Sequence, residues 1–231
     1  METLKDLSEL YRATTMLLSG QPGGAVDALF LHNRSFGDYT GLFEMAGAMI
    51  RQGVVKFITV TNNEGERVGS TTPLEANPGM SWCIDQLIYG HHILPERILH
   101  PDKKAFQTRE ENTAFLQLAS ERGWLSGVIL TQPHQLLRAT LGMVQAMTET
   151  GYMMAIYTAT PTDTPWQAVV RGNQGFQEKP RADHIQDELE RVLRSQGTGE
   201  LATFEQLFAY LRARDTGHLL IGSIGRERFI L

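Results

Sequence analysis

Three apolar segments of the sequence are each followed at once by side chains that can bind anions or form several hydrogen bonds. The residues concerned are Asn33 and Arg34 after residues 25–32, Asn62 and Asn63 after 56–61, and His134 and Arg138 after 127–131. Arginine and amide side chains near helix N-termini suit an anionic ligand or one rich in hydrogen-bonding groups. Turns are polar in any case, so each cluster alone fits either a turn or a ligand site.

The pair Glu111-Asn112 lies near the start of a predicted helix, three residues after Thr108 in a capping-box pattern. An acidic residue in the first turn interacts favourably with the helix dipole, and this accounts for Glu111. Asparagine is a weak helix former, so Asn112 is better explained by a contact with a ligand or a loop.

Several familiar site motifs do not occur in the chain. There is no G-x-G-x-x-G after a strand, no G-x-x-x-x-G-K-[ST] and no G-x-S-x-G, which weighs against a standard NAD or ATP site and against a nucleophile elbow. His91 and His92 are adjacent, so on a helix they point ~100° apart and do not make a metal-binding pair. No metal is predicted. Cys83, between Trp82 and Ile84, fits inert packing better than nucleophilic catalysis.

The elements that must position these residues alternate between strand and helix. Strands are predicted at 25–32, 56–61, 97–100, 127–131 and 152–159, and helices at 40–52, 81–92, 108–122 and after Pro133. Such alternation predicts parallel pairing with right-handed crossovers. The fold class is therefore α/β, with a Rossmann-like doubly wound, mostly parallel sheet, helices on both faces and a C-terminal helical extension. Ligands of such sheets bind at the carboxyl ends of the strands.

The chain divides into three predicted regions. Residues 1–24 form an N-terminal helix and turn, with Leu4, Leu7, Leu10 and Tyr11 on one face. Residues 25–160 form the α/β core. Residues 161–231 form a C-terminal helical extension packed on the core; it begins with a loop, continues with two amphipathic helices and has a late strand candidate at 218–224. The first amphipathic helix carries Ile185, Leu189, Val192 and Leu193 on its predicted apolar face, and the second carries Phe204, Leu207, Phe208 and Leu211.

Composition narrows the functional classes. The 231 residues are 42% hydrophobic and carry a formal net charge of -5, as is ordinary for a globular protein. No basic run is present for nucleic acid, and no apolar run reaches the ~18–20 residues that span a bilayer. A single cysteine excludes an intramolecular disulfide, and the N-terminus does not have the pattern of a signal peptide. We expect a cytoplasmic protein with a small-molecule ligand, and a homo-oligomer stays open.

The ordered set of these motifs resembles the YdcF-like family, which includes ElyC and SanA and has a conserved domain of unknown function. The resemblance spans about residues 25 to 157. It rests on Asp27, Thr61-Asn62-Asn63-Glu64-Gly65, Glu75-Ala76, residues 92–98, Glu111-Asn112, and Pro133 to Arg138. The family usually has Ser-Gly-Gly where this chain has Thr61-Asn62-Asn63.

The resemblance implies a Rossmann-like fold and a ligand site at the strand ends, with S-adenosylmethionine as the ligand described for bacterial YdcF. By match, the implied site residues are Asn33, Arg34, Asn62, Asn63, Glu75, Glu111, Asn112, His134 and Arg138.

Three functions stay open. The chain could be a transferase-like enzyme acting on or with a nucleotide-type ligand such as S-adenosylmethionine, a hydrolase of phosphorylated small molecules, or a binding module without turnover. In an enzyme, Arg34 and Arg138 would hold an anionic group, and Glu111 or Glu75 would act as base or ribose partner. His134 is the best general acid or base, because its unperturbed pKa of ~6.5 permits proton exchange near neutrality. A solvent-facing position in the first turn of a helix explains His134 equally well.

Overall fold

The computed structural model describes residues 4–35, 37–65, 78–171 and 178–223, which form nine short strands and seven α-helices. The strands are β1 (Val26–Leu31), β2 (Val55–Val60), β3 (Ile98–Leu99), β4 (Ser126–Leu130), β5 (Tyr152–Met153), β6 (Ala155–Ala159), β7 (Val169–Arg171), β8 (Glu178–Pro180) and β9 (Gly222–Ser223). The helices are α1 (Leu4–Ser19), α2 (Leu42–Arg51), α3 (Gly79–Asp85), α4 (Thr108–Arg122), α5 (Leu136–Thr150), α6 (His184–Gly197) and α7 (Phe204–Asp215).

Five strands form one parallel sheet in the order β3-β2-β1-β4-β6. The chain runs outward from β1 through β2 to β3, then returns to the other side of β1 with β4 and β6. The order therefore reverses between β1 and β4, and this reversal opens a crevice at the carboxyl ends of these two strands. The predicted Rossmann-like α/β fold is confirmed.

Helices cover both faces of the sheet because successive side chains of each buried strand point to opposite faces. On one face, Leu29 and Leu31 of β1 belong to a core cluster with residues of α2 and α3. On the other face, Ala28 and Phe30 belong to a cluster with residues of α1, α4, α5 and α7. The rings of Phe30 and Phe115 stack with centroids 4.7 Å apart, so α4 lies directly over the end of β1.

The predicted strand at 152–159 is two strands separated by Met154. The Tyr210 hydroxyl on α7 donates to the Met154 carbonyl and accepts from the Ile156 amide, and this holds the backbone at the break. Only β6 continues the parallel sheet, whereas β5 pairs antiparallel with β9, inside the strand candidate at 218–224. The predicted loop after residue 160 contains the antiparallel hairpin of β7 and β8.

Two predicted helical faces differ from those observed. On α1, Leu4, Leu7 and Tyr11 are exposed, and the buried positions are Ala13 and Leu17, which contact the rest of the core. On α6, the predicted apolar residues Ile185 and Leu193 are exposed, whereas Val192 is buried as expected together with two polar residues, His184 and Glu188. The polar side faces inward because its charges pair with groups at the crevice, as described below.

The predicted helix 81–92 begins at Gly79 as α3 and continues into a π-helical turn over Gln86–Gly90. Throughout the described parts of the chain, no helix combines the length and the apolar character needed to cross a membrane.

Candidate functional site

Polar side chains from both halves of the sheet converge at the crevice between β1 and β4. His32 and Arg34 follow β1, Thr131 follows β4, and Arg138 lies on α5 just beyond; each is at least nine-tenths buried. The N-terminal turns of α4 and α6 close the crevice from the side. The sequence-predicted residues Arg34, Glu111, Asn112, His134 and Arg138 therefore share one face of the sheet, and the charges of Glu111 and Arg138 affect the pKa of Arg34.

Arg34 is a buried cation without an ion pair among the described residues. Its side chain is 3% exposed, its Nη2 donates to the Thr131 hydroxyl, and its Nε has no partner among the described residues. No carboxylate of the described residues lies within 4.0 Å of its guanidinium. Burial lowers the pKa of Arg34; the Asp38 charge opposes this shift and the Arg138 charge adds to it. The charges of Asp38, Glu111 and Glu188 thus act on Arg34 from a distance, and none of the three forms an ion pair with its guanidinium.

Arg138, in contrast, forms an ion pair and hydrogen bonds within the protein. Its Nε lies 2.5 Å from Glu188 Oε2, and its Nη1 donates to Thr108 Oγ1 at 2.8 Å. Glu188 Oε1 also accepts from Arg191 at 2.7 Å. Burial alone would raise the pKa of Glu188, but the charge and hydrogen bond of Arg138 outweigh it and lower that pKa. Glu188 is therefore an anion held between two arginines, and α6 is tied to α5 through it.

A second buried ion pair joins the C-terminal extension to the loop after β1. Arg181 is 0% exposed; its Nε lies 3.0 Å from Asp38 Oδ1, and it also donates to the carbonyls of Pro165 and Gly37. Burial raises the pKa of Asp38, while Arg34 and Arg181 oppose the shift. The pair fixes the start of α6 against the crevice.

His134 borders a narrow cleft, where its Nε2 lies 3.8 Å from Asp38 Oδ2 and its Nδ1 has no partner in the described part of the chain. Burial, together with the positive charge of Arg34, lowers the pKa of His134 to about 3. His134 is thus neutral at pH 7 in this environment, which favours a role as acceptor over a role as acid. The cleft has an empty volume of about 200 Å³ and is lined by Asp38, His134, Gln135, Val170, Arg171, His184, Glu188 and Arg191.

Glu111 approaches His32, the last residue of the apolar segment 25–32. Its Oε2 lies 3.3 Å from His32 Nδ1, a distance suited to ion pairing but without hydrogen-bond alignment. His32 is 1% exposed and its Nε2 has no partner among the described residues. The pair lies beside Arg34, on the side of the crevice that α4 covers.

Asn112 is completely buried, and neither Nδ2 nor Oδ1 has a partner within the described chain. It lies between α4 and α5, where a Cβ built on Gly142 would come within 2.9 Å of Nδ2. The glycine is what allows the two helices, and with them Thr108 and Arg138, to approach this closely.

Replacing Gly142 with alanine is therefore expected to lower the free energy of unfolding by about 1–3 kcal/mol, as overpacking of a core does, although alanine is the better helix former by ~1 kcal/mol. Gly197, at the end of α6, has open space around it, so Gly197→Ala is the matched control and should be neutral or stabilising. Urea unfolding of both variants tests this, and equal midpoints would show that the contact with Asn112 is unimportant.

The remaining predicted residues are already engaged in local structure or lie outside the described chain. Asn33 Oδ1 accepts from the Tyr39 hydroxyl at 2.7 Å and from the Arg34 amide. Asn62 donates to the carbonyls of Pro101 and Asp102, and Asn63 donates to that of Ala105, so both tie the end of β2 to the loop after β3. Glu75 lies outside the described residues.

Four residues of the site escaped the sequence analysis: Asp38, Arg181, His184 and Glu188. The one available signal is the spacing of His184, Glu188 and Val192, which places all three on one face of α6 and marks that face as buried in part by polar groups. Nothing in the spacing links Asp38 with Arg181, because 143 positions separate them.

The fold and the crevice together define an α/β protein with a doubly wound sheet and a polar crevice at the point where its strand order reverses. No family model, curated protein or solved structure matches this chain. Within the described ranges, no group of three or more His, Cys, Asp or Glu residues is placed to hold a metal ion.

Proposed function

We propose that this protein binds a phosphorylated or nucleotide-type small molecule at the crevice between β1 and β4, with the anionic group of the ligand on Arg34. The observation that carries the proposal is the burial of the Arg34 guanidinium without a carboxylate partner among the described residues. An anionic ligand would supply the missing negative charge.

Burial of the Arg34 guanidinium costs free energy. Taking an ion out of water costs several kcal/mol even after the protein relaxes, and the cost is offset when a well-placed counter-charge and hydrogen bonds are present. Among the described residues, the Arg34 side chain has one hydrogen bond, to Thr131 through Nη2, and its Nε is unpaired. Arginine binds phosphate or carboxylate through two parallel N–H donors, and the unpaired Nε is the donor that such a ligand would use.

The cleft next to this crevice adds hydrogen-bonding groups. His134 Nδ1 and Gln135 Oε1 lie on its wall and have no partner among the described residues. They provide a neutral hydrogen-bonding surface for the part of a ligand that extends beyond Arg34.

S-adenosylmethionine remains a candidate on the strength of the sequence resemblance, and its carboxylate is the group that would face Arg34. A transferase-like enzyme and a binding module without turnover would use the same crevice. A turnover measurement distinguishes the enzyme from the binding module. A ligand that stabilises the protein and is recovered unchanged supports the binding module.

Replacing Arg34 with methionine tests the proposal with inorganic phosphate as the probe. Phosphate is expected to raise the melting temperature of the wild-type protein, with ~2.7 kcal/mol of stabilisation at 100 times its Kd. Arg34→Met should abolish this response. The variant itself should be as stable as the wild type or more so, because an apolar side chain of similar length replaces a buried unpaired cation.

Arg109→Met is the matched control, since Arg109 is an exposed arginine of α4 that is paired with Glu149 of α5. Its response to phosphate should equal that of the wild type. A phosphate response that survives in Arg34→Met, or no wild-type response to phosphate, AMP or S-adenosylmethionine, would contradict the proposal.

A further inference from the structure

His32 occupies a buried polar position that the binding proposal leaves unexplained. Its ring packs against Phe30 with centroids 4.4 Å apart, and its Nδ1 lies 3.3 Å from Glu111 Oε2. Nε2, on the opposite side of the ring, has no protein partner in the described structure. Buried polar atoms are almost always paired with protein, water or ligand, so this nitrogen is available to a group from outside the protein.

A second unpaired group lies on the neighbouring strand. β1 and β2 are in register up to Leu31 and Val60, so the next residues along, His32 and Thr61, are neighbours at the ends of the two strands. The Thr61 hydroxyl is buried and has no partner among the described residues. A buried water usually makes about three hydrogen bonds, and His32 Nε2 with Thr61 Oγ1 would provide two of them.

The charges around His32 favour its neutral form with a free lone pair. Burial lowers the pKa of His32, the nearby positive charges of Arg34 and Arg138 lower it further, and Glu111 opposes them. His32 is therefore neutral near pH 7. A carboxylate beside Nδ1 favours the tautomer with its proton on Nδ1, and this tautomer leaves the lone pair on Nε2.

We propose that His32, oriented by Glu111, is the general base of a phosphate-monoester hydrolysis at this site. The inference rests on the proposed binding of an anionic group by Arg34.

The step is balanced without a further reactant. His32 Nε2 takes a proton from a water molecule as the water oxygen forms a bond to phosphorus. The bond between phosphorus and the ester oxygen breaks, its electron pair leaves with the alkoxide or phenolate, and the proton on His32 is then released to the leaving group or to solvent. Arg34 faces the negative charge of the transferring phosphoryl group, where electrostatic stabilisation is most effective.

Direct attack by water is favoured because two possible protein nucleophiles of the described chain, Cys83 and Ser35, are not activated. Cys83 is buried in the cluster on the opposite face of the sheet, where burial raises the pKa of its thiol to about 12. The Ser35 hydroxyl donates to the Arg171 carbonyl at 2.6 Å. Neither group is activated for attack.

Hydrolysis of p-nitrophenyl phosphate, with the affinity for inorganic phosphate measured in parallel, tests this inference. His32→Gln should lower kcat by ~10²–10⁴-fold, the usual effect of a general base, with the phosphate Kd changed by less than about threefold because Arg34 is intact. His218→Gln, at an exposed histidine after α7, should behave as the wild type.

The pH profile of kcat in Glu111→Gln distinguishes a catalytic effect of Glu111 from a merely structural one. Because Glu111 raises the pKa of His32, its removal should shift the acidic limb of the kcat profile to lower pH as well as reduce kcat. This variant also decides the question if His32→Gln does not fold.

The outcomes separate the two proposals. Wild-type protein that binds phosphate but does not hydrolyse the ester overturns the role of His32 and leaves the binding proposal intact. An unchanged kcat in His32→Gln, or an unchanged pH profile in Glu111→Gln, also overturns the role of His32. Phosphate that does not bind at all removes both proposals.

Discussion

Replacing Arg181 with methionine is expected to lower the free energy of unfolding by about 3–5 kcal/mol, the usual cost of removing one partner of a buried ion pair. Arg181 is the largest of the fully buried side chains, and the substitution leaves the Asp38 carboxylate, also buried, without its 3.0 Å partner. It also removes the donors to the Pro165 and Gly37 carbonyls. Urea unfolding at pH 7 measures the loss.

Arg34→Met is the natural comparison, because it makes the same chemical change at a second buried arginine. The two variants should differ by several kcal/mol, since Arg181 has a carboxylate partner and Arg34 has none within the described chain. Adding Asp38→Asn to Arg181→Met should recover part of the loss, because the unpaired charge is then gone. If Arg181→Met lies within ~1 kcal/mol of the wild type, the ion pair does not hold the extension in place.

The second large effect concerns pH. The pKa of His134 is about 3 in the folded protein against a usual 6.5. Below pH 6.5 the unfolded chain therefore takes up a proton that the folded chain does not, and stability is lost as the pH falls from about 6.5 to about 3. Since one pKa unit corresponds to about 1.4 kcal/mol, the full contribution is on the order of 5 kcal/mol.

His134→Gln should remove this contribution, because glutamine does not titrate. Between pH 7 and pH 4.5 the variant should lose about 2–3 kcal/mol less than the wild type in urea unfolding. His218→Gln controls for the loss of a histidine at an exposed position. Parallel pH dependences for wild type and His134→Gln would show that His134 is solvated and titrates normally.

The parallel sheet could be predicted because its strands have a recognisable pattern of apolar residues. Runs such as 25–32 and 127–131 are apolar on both faces, and only a strand covered on both sides accommodates such a run. Alternation with helices then implies parallel order and places the ligand crevice at the carboxyl ends. Arg34 and His134 were predicted on this basis, and the structure places both at the crevice.

The partners of these residues could not be predicted in the same way. Asp38 lies in a turn-rich segment where an aspartate is ordinary, and its pairing with Arg181 depends on how the extension folds back. The inward face of α6 was misjudged because hydrophobic periodicity takes no account of charges that are buried in pairs, as Glu188 is with Arg138. The hairpin of β7 and β8 is three residues long on each side, and β8, Glu178–Pro180, contains no β-branched residue.

The joining of the extension to the crevice has a consequence for synthesis of the chain. The last strand of the sheet, β6, ends at Ala159, and Arg181 follows about 20 positions later. Chains are made from the N-terminus at ~5–20 residues per second, so the strands of the sheet exist roughly 1–4 s before the second charge of the pair. During that interval the Asp38 carboxylate has no Arg181 partner, and the cleft has neither His184 nor Glu188 as its wall. The sheet can therefore form before the cleft, which is complete only when α6 has been made.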